Sequence, residues 1–220
     1  TPKPSSAASD VYKRQALSKG IENLEKHIEN VKKFGVPVIV AINAFPTDTN
    51  AELELLNQKC EALNVQVSIS KVWELGADGG IDLANKLVQL LETTTSDFKP
   101  LYECDLSIKQ KIETIAKEIY GADGVIFDRK ANLTIKRLER LGLDSLPICM
   151  AKTQYSLSDD ASLLGRPTNF SIKINEIIVS AGAGFIVAIS GDIMRMPGLP
   201  KVPAACNMDI DSDGKIVGLF

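Results

Sequence analysis

The chain has 220 residues, of which 45% are hydrophobic, and a formal net charge of −3. This length and composition are typical of one large or two small globular domains with an apolar core. A mildly acidic charge without basic runs, and apolar runs far shorter than the ~20 residues of a bilayer span, predict no nucleic-acid partner and no membrane insertion.

Cysteine and histidine usage argues against a disulfide framework or a zinc site. The four cysteines contain no CxxC pair, and the only histidine is His27. This pattern is typical of reduced thiols in a cytoplasmic protein. The DSDG stretch near the carboxyl end resembles the start of an EF-hand loop, but Phe220 stands where that loop needs a bidentate glutamate. We therefore predict no metal site and a turn between two short strands.

Residues 1–15 differ in composition and hydrophobic pattern from the rest of the chain. They are small and polar, show no hydrophobic periodicity, and lack the apolar region of a signal peptide. We predict a non-native or disordered tail and expect the fold to begin at residue 16.

Residues 16–98 alternate between helical and strand patterns. A helical pattern ends at Gly35, and the β-branched run VPVIVAI (36–42) predicts a strand buried on both faces. A second helix (50–63), a second strand (VQVSIS, 65–70) and a third helix (81–92) follow. In the third helix one face carries Leu83, Leu87, Val88 and Leu91. This order predicts an α/β fold, with a parallel sheet and crossover helices.

Residues 99–220 have a different pattern, with longer β-rich runs. Helices are predicted near 106–120 and up to 138, with short strands at GVIF and PICM and two longer strands after them. Residues 96–100 read as an exposed linker. We therefore predict a second, smaller α+β domain over 99–220.

Two aromatic residues follow the two predicted parallel strands. Phe45 lies in NAFPTDT and Trp73, the only tryptophan, in SKVWELGADGG. Ligands on parallel sheets gather at the carboxyl ends of the strands, so two such rings can hold a planar heterocycle between them. The alternative is that both rings fold over the edge of the sheet as packing.

Polar residues near these rings have two interpretations each. Asn43 and Asp48, around Pro46, suit either contacts to the edge of a purine or pterin, or an Asx-type turn. The GADGG stretch (76–80) is interpreted as a helix entry rather than an anion site. A polar cluster after PICMA is interpreted mainly as a surface loop. Its members are Lys152, Thr153, Ser156, Ser158, Asp159 and Asp160.

No catalytic residue emerges from the sequence. No cysteine has a histidine or a clustered base beside it, and His27 is interpreted as a solvated helix residue. The P-loop motif GxxxxGK[ST] does not occur in these 220 residues.

Long segments of the chain resemble one enzyme family. GIENLEKHIENVKKFGVPVIVAINAFPTDT, VWELGADGGIDLA, LPICMAKTQYSLSDDASLLGRPTNF and SAGAGFIVAISGDIMRMPGLPKVPAACNMDIDSDGKIVGLF are similar, in order, to the carboxyl-terminal part of formate–tetrahydrofolate ligase. That family joins formate to tetrahydrofolate with ATP, through an enzyme-bound formyl phosphate, to give 10-formyltetrahydrofolate, ADP and phosphate.

The resemblance implies a fragment of such a ligase, in which residues 16–98 belong to a P-loop-NTPase-like sheet of the nucleotide- and folate-binding domain. It implies that Phe45 and Trp73 hold the pterin ring, while the phosphate-binding parts that serve ATP and Mg²⁺ lie upstream. It also implies a cytoplasmic homo-oligomer, commonly a tetramer in bacterial members. No covalently bound cofactor is implied.

Two positions depart from the family pattern. The family has a basic residue where Ala44 stands, and a glycine pair after a small residue where this chain has residues 74–77. Both departures bear on the course of the loop and on affinity. An alternative function is a non-catalytic α/β ligand-binding or oligomerisation module that uses the same aromatic slot.

Overall fold

The structure is a computed structural model that describes residues 6–45, 47–191, 193, 201–212, 214 and 216–218. For residues 6–14 and 204 the description concerns the backbone alone. None of the helices in this described part is long and apolar enough to cross a bilayer.

The first part of the chain forms a small parallel β-sheet with helices around it. Its elements are α1 (Ser6–Lys33), β1 (Ile39–Asn43), α2 (Asn50–Ala62), β2 (Gln66–Ser70), α3 (Val72–Leu75), a 3₁₀ turn (Gly76–Gly80) and α4 (Ile81–Thr93). Strand β1 pairs with β2 in parallel, from Ile39 opposite Gln66 to Asn43 opposite Ser70. The predicted parallel pairing, with α2 as the crossover, is thus confirmed.

Helix α1 begins at Ser6 instead of near residue 16. The structure therefore differs from the prediction of a tail without regular structure over residues 6–15. This segment contains alanine, lysine, arginine and glutamine, which are good helix formers, so it can extend the amphipathic helix that follows. The lack of hydrophobic periodicity concealed this extension.

The second part of the chain contains a mixed four-stranded sheet. Its elements are α5 (Ile108–Ile115), a π-helical turn (Ala116–Tyr120), β3 (Gly124–Phe127), α6 (Arg129–Arg140), β4 (Ile148–Ala151), β5 (Ser171–Ser180) and β6 (Phe185–Ser190). The strand order is β3-β5-β6-β4, with β3 parallel to β5, β4 parallel to β6, and β5 antiparallel to β6. The chain is therefore of the mixed α/β class.

A short β-hairpin follows near the carboxyl end. A 3₁₀ turn (Ala204–Asn207) precedes β7 (Asp209–Ile210), which pairs in antiparallel fashion with β8 (Ile216–Val217). The predicted turn between two short strands is confirmed. Among the described residues, no group of three His, Cys, Asp or Glu side chains is placed to hold a metal ion.

The main hydrophobic core lies between α5, α6 and the four-stranded sheet. Its fully buried members include Ile108, Ile112, Ile135, Ile172 and Ile186. Burial of several such side chains, each contributing about 1.5–3 kcal/mol, makes this the most strongly packed part of the described chain.

The two-stranded sheet is covered less completely than its sequence predicts. Ala41 of β1 is exposed, and α4 has no buried residue, with Leu87, Val88 and Leu91 on its surface. The prediction that this strand is buried on both faces is therefore wrong for the described chain. Within the described residues β1 and β2 pair only with each other, and the helices packed around them leave Ala41 exposed.

Helix α1 connects the two parts of the chain. The Lys26 ammonium and the Asn30 amide donate hydrogen bonds to the carbonyls of Glu118 and Ile119 in the π-helical turn, at 2.9 and 2.8 Å. Arg166 forms two hydrogen bonds of 2.7 Å with the Glu29 carboxylate. Contacts of α1 thus cross the domain boundary predicted near residue 98.

Candidate functional site

The carboxyl ends of β1 and β2 meet at one edge of the parallel sheet. Asn43 and Ser70 form the last register pair, and the Ala44 N–H extends the ladder by donating to the Ser70 carbonyl at 3.0 Å. The segments that carry the two aromatic residues therefore leave the sheet side by side, as parallel pairing predicts.

Phe45 and Trp73 are stacked against each other at this edge. Their ring centroids lie 5.8 Å apart with an interplanar angle of 25°, within the usual range for an offset aromatic pair. Each residue is 51% exposed. Part of each ring is therefore accessible from solvent, as it is for Phe98, which is 63% exposed and stacks on Phe34.

The ring pair is closed in this structure. A planar ligand between two aromatic faces needs two carbon–carbon contact layers of about 3.5–4.0 Å each, or roughly 7 Å in all. The centroid separation of 5.8 Å is too small for such a sandwich. A ring can therefore enter between them only if the walls separate by roughly 1 Å or more.

Trp73 is held through its indole nitrogen. The Nε1–H group donates a hydrogen bond to the Ala44 carbonyl at 2.7 Å. Because the acceptor belongs to the backbone, this bond does not depend on the side chain at position 44. The departure of Ala44 from the family pattern therefore leaves the anchoring of the tryptophan intact.

Phe45 begins a short turn that leads into α2. Its N–H donates to the Asp48 carboxylate at 2.8 Å, and the Asp48 N–H donates back to the Phe45 carbonyl at 3.0 Å. Thr49 then caps α2 in a capping box with Glu52. The backbone of Phe45 is thus fixed, while its ring has contact with Trp73 but no polar anchor.

The remaining predicted contact residues have different positions. Asn43 is exposed at the end of β1, and Asp48 is exposed beside the ring pair, where its Oδ2 accepts the turn hydrogen bond. This carboxylate–backbone bond supports the turn interpretation of Asp48 and uses only its Oδ2. Pro46 lies outside the described residues.

The GADGG stretch forms the predicted entry to α4. It is a 3₁₀ turn that leads directly into Ile81, so helix entry is confirmed. Helix α4 is fixed to β2 by the Asp82 carboxylate, which accepts from Ser68 Oγ at 2.6 Å and pairs with Lys86 at 2.8 Å. These two hydrogen bonds, from Lys86 and then Ser68, lower the pKa of Asp82.

Four members of the polar cluster after β4 line a cavity of about 800 Å³, namely Lys152, Thr153, Asp159 and Asp160. The Lys152 ammonium donates to the carbonyls of Thr153 and Ser156 and lies 5.1 Å from the centre of the Tyr120 ring. Burial lowers the pKa of Lys152. Since its hydrogen bonds are made within the same loop, they support the interpretation of this cluster as a structural loop.

Two features of the aromatic site could not be found in the sequence. The Ala44 carbonyl that receives the indole hydrogen bond has no signal in residue type. Gly79 approaches the backbone of Lys71 and Val72 closely, at a place where the glycine-rich sequence indicated only a turn.

The chain is similar to one protein family over nearly its whole length. A family model described as formate–tetrahydrofolate ligase matches residues 4–220. The matched range contains both strand ends, the ring pair and the four-stranded sheet. It also begins inside the segment 1–15, so the non-native origin of that segment stays a prediction.

Proposed function

Because this chain belongs to the formate–tetrahydrofolate ligase family, we propose that it holds the pterin ring of tetrahydrofolate between Phe45 and Trp73. The family uses ATP and tetrahydrofolate as substrates. In this proposal the chain is a carboxyl-terminal fragment that supplies the folate site of a ligase making 10-formyltetrahydrofolate. Holding the pterin fixes the folate nitrogen that receives the formyl group.

The stacked, half-exposed pair of Phe45 and Trp73 is the observation that carries this proposal. Two aromatic faces beside each other at the carboxyl ends of parallel strands are suited to a flat heterocycle. Trp73 is anchored by its indole hydrogen bond, whereas Phe45 has no such anchor. The Phe45 ring is therefore the wall expected to move when the ligand enters.

Polar groups around the pair suit the edge of a pterin. A pterin carries N–H donors on one edge, and carboxylate oxygens are strong acceptors for them. Asp48 is held beside Phe45 by its turn hydrogen bond, so its second oxygen can accept from the ligand. Asn43, at the strand end, and Pro46 complete the proposed set of contact residues.

The nucleotide chemistry of the family is assigned to residues outside this sequence. Phosphoryl transfer depends on positioning and charge stabilisation by a phosphate-binding loop, its lysine and Mg²⁺. The sequence contains no GxxxxGK[ST] motif. In the described part no acidic cluster fits a metal ion, and we assign none of these residues to Mg²⁺ or to catalysis.

We also propose the larger sheet, the separate second domain and the oligomer that membership of the family implies. Strands β1 and β2 would belong to a larger P-loop-NTPase-like sheet, and residues 99–220 would form a separate domain in a cytoplasmic homo-oligomer. The exposed apolar side chains of α4 agree with a partner surface, since large apolar patches commonly mark interfaces. The same side chains favour the alternative function, a non-catalytic ligand-binding or oligomerisation module.

Fluorescence of Trp73 tests the proposed site directly, because it is the only tryptophan in the chain. We expect saturable quenching when the 220-residue protein is titrated with tetrahydrofolate, and no comparable change with ATP. Phe45→Ala should weaken the response. Phe98→Ala is the matched control, because Phe98 is also exposed and stacks on Phe34 at 6.3 Å, outside the site.

The two candidate functions give different outcomes in this titration. If tetrahydrofolate leaves the fluorescence of Trp73 unchanged while sedimentation shows a stable oligomer, the module function is favoured. Equal responses to tetrahydrofolate and ATP would indicate a general slot for planar heterocycles and would contradict a pterin site.

A further inference from the structure

Trp73 lies in a loop whose two ends are joined. The Lys71 N–H donates to the Gly79 carbonyl at 3.0 Å, which closes residues 71–79 into a ring, here named the Trp73 loop. The Lys71 carbonyl accepts from the N–H groups of Glu74 and Leu75, at 3.0 and 2.9 Å, and so starts α3. The position of Trp73 in space therefore follows from the position of the Lys71 backbone.

The closure depends on the lack of a side chain at Gly79. A Cβ at this position would lie 2.4 Å from both the carbonyl carbon and the oxygen of Lys71, and 2.8 Å from the Val72 nitrogen. All three are backbone atoms, so no rotamer change relieves the contact. Since ordinary contact begins near 3.4 Å, the two segments would have to separate by about 1 Å.

We propose that Gly79 is a positioning residue for folate recognition, because it lets the Trp73 loop close and thereby places the indole against Phe45 and the Ala44 carbonyl. The atoms nearest to a Cβ at Gly79 belong to the backbone of Lys71 and Val72 and not to either ring. The inference rests on the proposed function of Trp73 as a wall of the folate site. A separation of 1 Å at Lys71, two positions before Trp73, would disturb both an indole hydrogen bond of 2.7 Å and the ring stack.

The neighbouring glycines show whether any glycine replacement in this loop would have the same effect as replacement of Gly79. At Gly80 an added Cβ would meet only Cγ2 of the Val72 side chain, at 3.1 Å, which can shift by a few tenths of an ångström. Gly76 has open space around it, but its φ of +60° is strained for other residues. Gly80→Ala is therefore the matched control for Gly79→Ala.

The test compares Trp73 fluorescence in the ligand-free parent chain, Gly79→Ala and Gly80→Ala. For Gly79→Ala we expect a red-shifted emission and stronger acrylamide quenching, since the indole loses its contacts. Tetrahydrofolate affinity should fall toward that of Trp73→Ala, while Gly80→Ala keeps the parent values. Parent-like emission and quenching in a folded Gly79→Ala protein would overturn the proposal.

Hydrogen exchange of the parent protein keeps the proposal testable if Gly79→Ala does not fold. The Lys71 amide should be protected, because it donates to the Gly79 carbonyl. Exchange at the unprotected rate would show that the loop is open and overturn the proposal. If tetrahydrofolate fails to quench the parent protein, the proposed function fails, but the ligand-free comparison still tests the positioning by Gly79.

Discussion

Replacing Trp73 by alanine tests the folate site most directly. Trp73 is 51% exposed. The surface that an aromatic side chain can bury is about 150–250 Å², and a ligand covering the exposed face of the indole would bury about 60 Å² of it. Burial of that area contributes about 1.5 kcal/mol to the binding free energy. The new stacking contact gains about 0.5–1.5 kcal/mol, but opening the pair loses a similar amount from the contact with Phe45. We therefore expect Trp73→Ala to cost about 1–2 kcal/mol, or roughly 5- to 30-fold in affinity.

Calorimetric titration of tetrahydrofolate into the 220-residue chain measures this change without relying on tryptophan fluorescence. Trp73→Phe distinguishes the contribution of the aromatic face from that of the indole hydrogen bond, because it keeps an aromatic ring but loses the hydrogen bond to the Ala44 carbonyl. We expect an affinity between those of the parent and Trp73→Ala. Phe98→Ala serves again as the control for loss of an exposed stacked ring.

A melting curve for each variant distinguishes ligand binding from packing. If the ring is a wall of the ligand site, affinity falls while the melting temperature changes little, because about half of the side chain is exposed in the free protein. An unchanged tetrahydrofolate affinity together with a clearly lower melting temperature would refute the reasoning and return Trp73 to a packing role.

Three further predictions concern activity and stability. The 220-residue chain should form no 10-formyltetrahydrofolate from ATP, formate and tetrahydrofolate, as measured by formate-dependent ADP release, since its sequence has no phosphate-binding loop. Lys111→Met should lower the free energy of unfolding in urea by about 1–3 kcal/mol, because Lys111 is fully buried and donates to the Asp144 and Leu146 carbonyls, which would lose their partner. Glu29→Gln should cost less than about 1 kcal/mol at neutral pH, as its pair with Arg166 is partly exposed. The hydrogen bond from Arg166 lowers the pKa of Glu29 in the folded protein. The ion pair therefore stabilises the fold at pH values above the pKa of an unfolded glutamate. The difference in unfolding free energy between parent and variant should disappear as the pH falls through the lowered pKa of the folded carboxylate.

The sequence predicted which helices and strands form, but not how completely neighbouring elements bury them. The β-branched run before Asn43 correctly indicated a strand, because side-chain type and turn residues determine local conformation. Burial of both faces depends on the helices or sheets that pack above and below the strand, which its own periodicity does not encode. Ala41 is therefore exposed, and the apolar residues of α4 lie on the surface.

Lys111 shows the same limit within the core. It lies between Ile108 and Ile112 on an amphipathic helix, where a lysine is ordinarily expected at the surface. Its burial depends on two carbonyls, of Asp144 and Leu146, that the chain brings to the end of its side chain. Such long-range partners have no signature in a local sequence window.

The aromatic pair was predictable in its location and not in its geometry. Parallel pairing of two successive strands requires that their carboxyl ends share an edge, so Phe45 and Trp73 had to be neighbours. The direct ring contact of 5.8 Å depends on side-chain rotamers and on the indole hydrogen bond to a backbone carbonyl. The sequence indicated either a slot for a planar ligand or packing over the edge of the sheet, and the structure has the two rings in direct contact.

The site also lies apart from the most strongly packed region of the chain. The main core surrounds the four-stranded sheet, whereas the ring pair rests on backbone hydrogen bonds: Ala44 to Ser70, Phe45 to Asp48, and the closure of the Trp73 loop at Gly79. These hydrogen bonds fix the backbone positions from which the two side chains extend, but they leave the exposed ring faces without packing contacts. That combination suits a ligand wall, because a ring can be displaced by about 1 Å without opening a cavity in the core. A substitution that disturbs the backbone bonds should therefore change ligand binding more than stability, while a substitution in the main core should do the reverse.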